Sequence, residues 1–199
     1  SANGIGDVSV GRQSHPFTDN VATTASIFEV YGGSSSFSYG TRSSNSIAYS
    51  KSLGQVSINA LGVVDGASGK DGVDSYEWSA SVDVVDGVRI SGGLASDEAN
   101  DTFYYGVGMT TEISDDLSIA SSYTMKDAAT DLTAWEVAGS FKMLSVGYGD
   151  KEGTGAFTTV GLSHDLSADL KLYAETEMAD NEGSVTDTHS WSIGTKFSF

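Results

Sequence analysis

The feature that most constrains what this chain can fold into is an alternation of apolar and polar side chains with period two, repeated down most of its length. Successive residues of a β-strand point to opposite sides, so the pattern marks strands with one apolar and one polar face. The last stretch is the clearest. Trp191, Ile193, Thr195, Phe197 and Phe199 take one face, and Ser190, Ser192, Gly194, Lys196 and Ser198 take the other. The pattern recurs with Phe103, Tyr105, Val107 and Met109 against Tyr104, Gly106, Gly108 and Thr110, and again with Tyr76, Trp78, Ala80 and Val82 against Glu77, Ser79, Ser81 and Asp83. It predicts strands near 5–12, 44–50, 55–64, 73–84, 87–95, 102–113, 116–126, 132–142, 144–150, 154–164, 169–178 and 188–199, about twelve in all. No segment reads as a helix beyond a turn within 17–30.

The connections alternate in length. Tight ones fall at Lys51-Ser52-Leu53-Gly54, Val85-Asp86-Gly87, Ser114-Asp115, Met143 and Asp165-Leu166-Ser167-Ala168; longer acidic ones fall at 65–72, 96–101, 127–131, 150–153 and 179–187. Short turns at one end and long polar loops at the other are the habit of outer-membrane β-barrels, whereas Greek-key sandwiches mix their connection lengths. The stretch 13–43 breaks the rhythm. It lies on the long-loop side, holds the only proline, and carries Phe17, Val21, Ile27, Phe28, Val30, Tyr31, Phe37 and Tyr39. A long connection that apolar must pack somewhere, and the inside of a barrel is the available space.

Composition agrees. The chain has 199 residues, enough for one domain over 1–199, with 24 Gly, one Pro, no Cys and 39% hydrophobic residues. No run of about 18 apolar residues exists, which excludes a transmembrane helix. Barrel strands need only about 9–11 alternating residues each, so a membrane is not thereby excluded. Lipid cannot satisfy backbone N–H and C=O groups, so the apolar faces would meet lipid around a closed barrel and the Ser, Gly, Thr and charged faces would line water. Tyr49, Trp78, Trp135, Tyr148, Trp191 and Phe199 are then candidates for the aromatic girdles at the headgroups. The formal net charge is -17, which argues against nucleic acid as a partner and favours cations in any aqueous path.

Two places resemble a known family. Residues 9–17 (SVGRQSHPF), Asp19, and 31–49 (YGGSSSFSYGTRSSNSIAY) are similar to the Gram-negative general diffusion porins. In that family a strand ending in Gly-Arg-Gln leads into the third loop. The loop folds into the barrel as its constriction and returns through an Arg-x-Ser-Asn-Ser-(Ile/Val)-x-Tyr strand start. The C-terminal Ser192–Phe199 stretch, ending on Phe, resembles the signal read by the outer-membrane assembly machinery, with Trp191, Phe197 and Phe199 its apolar positions.

The resemblance implies a transmembrane antiparallel barrel in the bacterial outer membrane, a homotrimer among lipid and lipopolysaccharide, and a passive channel for ions and small hydrophilic solutes. It matches Arg12 and Arg42 to the basic residues at the two ends of the constriction loop, and Asp19 and Glu29 to its acids. The family's basic wall lies mostly on early strands that have no counterpart here, and Ala48 stands where many relatives carry a polar or basic residue. Since 13–43 matches the third loop, the strands correspond to the fifth to sixteenth of sixteen. The resemblance thus implies that about four N-terminal strands are lacking, the alternative being a genuine twelve-stranded relative. A structural or adhesive barrel with a plugged lumen is the second functional reading.

No catalytic or metal motif stands out. His15, His164 and His189 lack ligand spacing. Ser163, His164 and Asp165 are neighbours on one strand, where side chains diverge, so they make no triad. Gly32-Gly33 and Gly92-Gly93 precede no helix and are not phosphate loops. The acidic loops match no calcium-binding pattern, although they could meet divalent cations that bridge lipopolysaccharide. No enzyme, cofactor or resident metal is expected.

Overall fold

In a computed structural model, which describes residues 4–31, 36–64, 72–98, 100–181, 183 and 187–198, the chain forms twelve strands. They are β1 (Asp7–Ser14), β2 (Arg42–Leu53), β3 (Val56–Val63), β4 (Ser75–Val85), β5 (Val88–Asp97), β6 (Thr102–Ser114), β7 (Leu117–Asp127), β8 (Leu132–Phe141), β9 (Leu144–Lys151), β10 (Gly155–Ser167), β11 (Leu170–Ala179) and β12 (Thr188–Phe197). Each pairs antiparallel with the next, giving one meandering sheet in chain order. A single π-helical turn, Thr18–Ala22, falls within the stretch expected to hold a turn.

The two ends of the sheet differ as the sequence predicts. At one end the links shrink to two residues: 54–55, 86–87, 115–116, 142–143 and 168–169. Gly87 shows why one of them needs glycine. Its φ is +75°, and a Cβ there would stand 2.6 Å from the carbonyl oxygen of Glu112. Two links expected to be longer are shorter, because β2 continues through Lys51 to Leu53 and β10 through Leu166 to Ser167. Lys51 lies on the outward parity, opposite Ile58, and so breaks the apolar pattern without ending the strand. Near the interface a charge on that face costs little. In the hairpin of β10 and β11 the register slips between Asp165 and Ser167, which blurs the alternation there. At the opposite end, the expected loops 65–72 and 179–187 lie largely outside the described residues.

Burial is inverted relative to a protein cored in water. Large apolar side chains stand on the outside: Trp78 is 46% exposed, Val107 55%, Leu162 54% and Trp191 78%. Ser79, Thr124, Thr159 and Glu136, on the other parity of their strands, are buried. Leu61 and Val63 are apolar exceptions on the inward parity. What covers this polar wall is the chain's own segment 15–41, whose Phe17, Val21, Ala25 and Phe28 form the apolar clusters. Mostly apolar faces outside and mostly polar faces within are what a lipid solvent imposes.

β1 and β12 stand at the two ends of the strand order, and no backbone pairing joins them among the described residues. The pattern at the last strand follows the sequence. Trp191, Ile193 and Phe197 are exposed on one side, while Lys196 turns to the inner side and meets Glu29. A lysine on the lipid side at mid-depth would cost about 2–4 kcal/mol. Phe199 lies outside the described residues.

Candidate functional site

Segment 15–41 leaves the end of β1, crosses the inner wall as far as β12, and comes back to β2. Its start is fixed by a buried relay. Nδ1 of His15 pairs with Oε1 of Glu77 on β4, and Nε2 meets the Ser43 hydroxyl at 2.9 Å. The other oxygen of Glu77 accepts the Phe17 N–H at 3.1 Å. The His15 N–H donates to the Thr41 carbonyl at 3.1 Å, closing the neck of the segment. Ser43, His15 and Glu77 have the connectivity of a hydrolase relay, yet His15 is 1% exposed and both Glu77 oxygens are committed. The arrangement anchors the segment.

The crossing that follows rests on the smallest residues of the wall. Asn20 donates to the Ser79 hydroxyl on β4 at 3.1 Å. Val21 and Thr24 lie over Gly106 and Gly108 of β6. Phe28 lies over Gly147 of β9 and Gly161 of β10, where a Cβ would come within 2.8 Å and 3.1 Å of its ring. In the sequence these glycines belong to the polar faces expected to line water. Several of them are seats, because a side chain there would occupy the space the segment fills.

The tip is held by charge. Glu175 on β11 receives three consecutive backbone donors: the N–H of Glu29 at 2.7 Å, of Val30 at 2.9 Å and of Tyr31 at 3.4 Å. The Glu29 carboxylate spans two lysines, Lys171 of β11 at 3.3 Å and Lys196 of β12 at 2.8 Å. The return path is tied by Lys151 of β9, which donates to the Ser36 carbonyl at 3.2 Å with its ammonium 4.6 Å from the Phe37 ring centroid. The Phe37 N–H donates to the Thr124 hydroxyl on β7 at 2.9 Å.

The four residues matched to a constriction therefore separate into different settings. Asp19 and Arg42 line one hollow against the inner side of β1 to β3, together with Ser9, Gln13 and Asn59. Partial desolvation raises the Asp19 carboxyl above its ordinary value of 3.8, opposed by His15, Ser14 and Arg42. Glu29 lies far round the wall at β11 and β12. The Lys196 hydrogen bond is the largest effect on its carboxyl; burial opposes it, and with the Lys171 hydrogen bond added the carboxyl is held below the ordinary 4.5. Arg12 is exposed where the register between β1 and β2 slips between Gly11 and Gln13, and among the described residues no ion pair joins it to either acid. Of the assembly-signal positions, Trp191 and Phe197 are on the outer face.

Sequence reading left out Glu77, Glu175, Lys171 and Lys196 as site residues. A signal for the two acids was present. Each sits on the polar parity of its strand, between outward neighbours, as in Tyr76-Glu77-Trp78 and Ala174-Glu175-Thr176. A carboxylate there must find donors from something placed inside.

An antiparallel meander with an apolar outside, a polar inside and a long segment folded onto the inner wall defines the class: this is the fold of an outer-membrane porin barrel. The solved structures that share it include OmpT of Vibrio cholerae, at 17% identity over 98% of this chain and 77% of that one, with a TM-score of 0.75. Salmonella typhi OmpF, in complex with daunomycin, matches at 11% identity over 96% and 74%, also with a TM-score of 0.75. A multiply substituted mutant of the Rh. blastica porin matches at 18% identity over 100% and 75%, again with a TM-score of 0.75. At these identities the likeness is one of fold. No family model matches the chain, and no curated protein matches it.

Proposed function

We propose that the protein is a bacterial outer-membrane channel, without enzymatic activity, through which ions and small hydrophilic solutes diffuse passively with a weak preference for cations. The observation that carries this reading is the path of segment 15–41 along the polar inner face of a sheet whose outer face is apolar; in a closed barrel a segment on that face narrows the water-lined interior. The cation preference rests on the net charge of -17 and on Asp19. Glu29 contributes less, because two lysines neutralise it locally. Fixed charges in a narrow aqueous path walled by low dielectric act more strongly than in bulk water. They fade with salt, since the screening length is about 8 Å at physiological ionic strength.

In this reading Asp19 and Arg42 sit at the narrow level on one side, with Arg12 at its margin. About four further strands close the wall between β1 and β12. The barrel is a homotrimer, inserted by the assembly machinery through its last strand and surrounded by lipid and lipopolysaccharide. Material extracted in gentle detergent should run as a trimer, and a monomer there would remove that part of the reading.

The test is the reversal potential across a salt gradient in a planar bilayer, for the wild type and for Asp19→Asn. The wild type should favour cations weakly, less so as salt rises, and Asp19→Asn should reduce the preference. Anion preference in the wild type overturns the charge argument. An unchanged preference in the variant removes Asp19 from the path. Inserted protein that conducts nothing favours a structural barrel whose lumen segment 15–41 plugs.

A further inference from the structure

We propose that Lys126 and Lys151, with Phe37, Tyr39 and Tyr104, form a binding site on the inner wall for small aromatic carboxylates. The site rests on the interior being open to water, as the channel reading has it. Both lysines lie on the inward parity of their strands, where β7 and β9 approach the longer connections. Lys126 stands two residues beyond the buried Thr124, and Lys151 two beyond Gly149. Lys126 is opposite Tyr104 of β6 on one side and Leu132 of β8 on the other. Lys151 is opposite Ala134, the next inward position of β8. The two cations thus flank one strand, a single step apart. The returning arm of segment 15–41 passes the same place. The Lys151 ammonium reaches the Ser36 carbonyl at 3.2 Å and lies 4.6 Å from the Phe37 ring centroid. Tyr39 and Tyr104 pack against the cluster of Phe17 and Val21. Phe37, Tyr39 and Tyr104 are only half-buried, so ring surface stays open beside the two charges.

What calls for an anion is the missing counter-charge. The chain has 27 acidic residues against 10 Lys and Arg, so a cation without an acid is the exception. Elsewhere on the inner wall the cations have acids: Lys171 and Lys196 meet Glu29, Arg89 meets Asp83, and Arg42 shares a hollow with Asp19. Among the described residues no ion pair involves Lys126 or Lys151. Glu136, two positions beyond Ala134 on the inward parity of β8, is 1% exposed and pairs with neither. A carbonyl and a ring face orient the Lys151 ammonium but bring no full negative charge. A partly buried charge left so is costly, and two neighbouring like charges add to the cost. A carboxylate between the two ammonium groups answers both. Charge alone would hold an anion weakly here. The connections 127–131 and 150–153 carry Asp127, Asp131, Asp150 and Glu152, whose field repels anions. An aromatic ring on the same solute adds contact with Phe37, Tyr39 and Tyr104, and ring pairs of this kind are favourable beyond their buried area.

The probe is 2-naphthoate, titrated calorimetrically into protein extracted from outer membranes, against a blank of the same micelles. Acetate and 2-naphthalenemethanol carry its charge and its ring separately, and each should bind far more weakly. The informative variant is Lys126→Met, because Lys126 makes no hydrogen bond to segment 15–41 and its loss leaves the segment in place. Removing one charge-assisted hydrogen bond should weaken 2-naphthoate about tenfold. Lys126→Arg keeps the charge and should keep most of the affinity. In a planar bilayer, 2-naphthoate added at the long-loop end should interrupt the open current of the wild type and leave that of Lys126→Met steady. Equal affinity in the wild type and in Lys126→Met overturns the site. Acetate binding as tightly as 2-naphthoate overturns the assignment to aromatic carboxylates. Binding that Lys126→Met weakens, in a protein that conducts nothing, upholds the site and removes the channel reading. A cation-preferring channel that binds no 2-naphthoate removes the site and leaves the channel reading intact.

Discussion

Two acids on one segment are shifted in opposite directions by their surroundings. Asp19 is raised by desolvation, and Glu29 is lowered by the Lys196 and Lys171 hydrogen bonds. Each sign has its own consequence on acidification. A raised carboxyl loses its charge at a pH above its ordinary 3.8, so Asp19 neutralises early. A lowered carboxyl stabilises the fold at every pH above its ordinary 4.5, and that contribution is lost only as pH falls through the depressed value. Cation preference should therefore fall as pH drops towards the raised Asp19 value, and Asp19→Asn should lose that part of the pH response. Reversal potential measured over one pH series for the wild type and for Asp19→Asn checks this, and an identical pH response in both would contradict it. Asp19 and Glu29 were legible as acids in the anomalous stretch 13–43. Their partners were less so. Arg42 could be read from the family-like strand start, whereas Lys171 and Lys196 lie 142 and 167 positions from Glu29 and meet it only because the wall curves. Period-two alternation says which way a side chain points and nothing about what waits across the lumen.

At the scale of the element, the wall and the segment specify each other through size. β9 and β10 present Gly147 and Gly161 under Phe28, and β6 presents Gly106 and Gly108 under Val21 and Thr24. Gly147→Ala combined with Gly161→Ala puts two methyl groups into space the Phe28 ring occupies. Overpacking of this kind costs about 1–3 kcal/mol. The expected result is a lower unfolding temperature in detergent and a shifted exclusion limit, because the tip must rise from the wall. Gly139→Ala is the control. It also lies in a strand, but its Cβ would meet only ordinary contacts with Ser118 and Ile119, at 3.4 Å and 3.9 Å. Equal effects at both sites would show that strand glycine, and not the seat, was being measured. The strands themselves were readable because alternation is a local property of each hairpin. Their ends were less so at Lys51 and Leu166, where a charge near the interface and a register slip interrupt the pattern without ending the pairing. The seats were unreadable because a glycine that makes room looks the same in sequence as one that lines water.

For the whole molecule, the open question of physics is the pair of edges. β1 and β12 each carry one side of backbone N–H and C=O groups that no described strand satisfies, and lipid cannot satisfy them. Two closures answer this. β1 pairs directly with β12, or further strands stand between them. The proposed porin architecture requires the second, with about four strands inserted. The two differ greatly in distance. Neighbouring strands lie about 4.8 Å apart, so four strands between the edges put β1 and β12 roughly 24 Å apart along the wall. A disulfide needs Cα atoms within about 7 Å. Since the chain has no cysteine, pairs can be placed on the inner faces of the two edges: Ser9→Cys with each of Ser190→Cys, Ser192→Cys and Gly194→Cys, to sample the register. In protein inserted in the outer membrane and treated with a mild oxidant, none of these pairs should form an intramolecular disulfide. Ser52→Cys with Ser57→Cys, opposite each other across β2 and β3, should form one and report that oxidation worked. An intramolecular bond between β1 and β12 would establish direct closure. It would make the barrel twelve-stranded, narrow the lumen around segment 15–41, and shift the functional reading towards the plugged structural barrel.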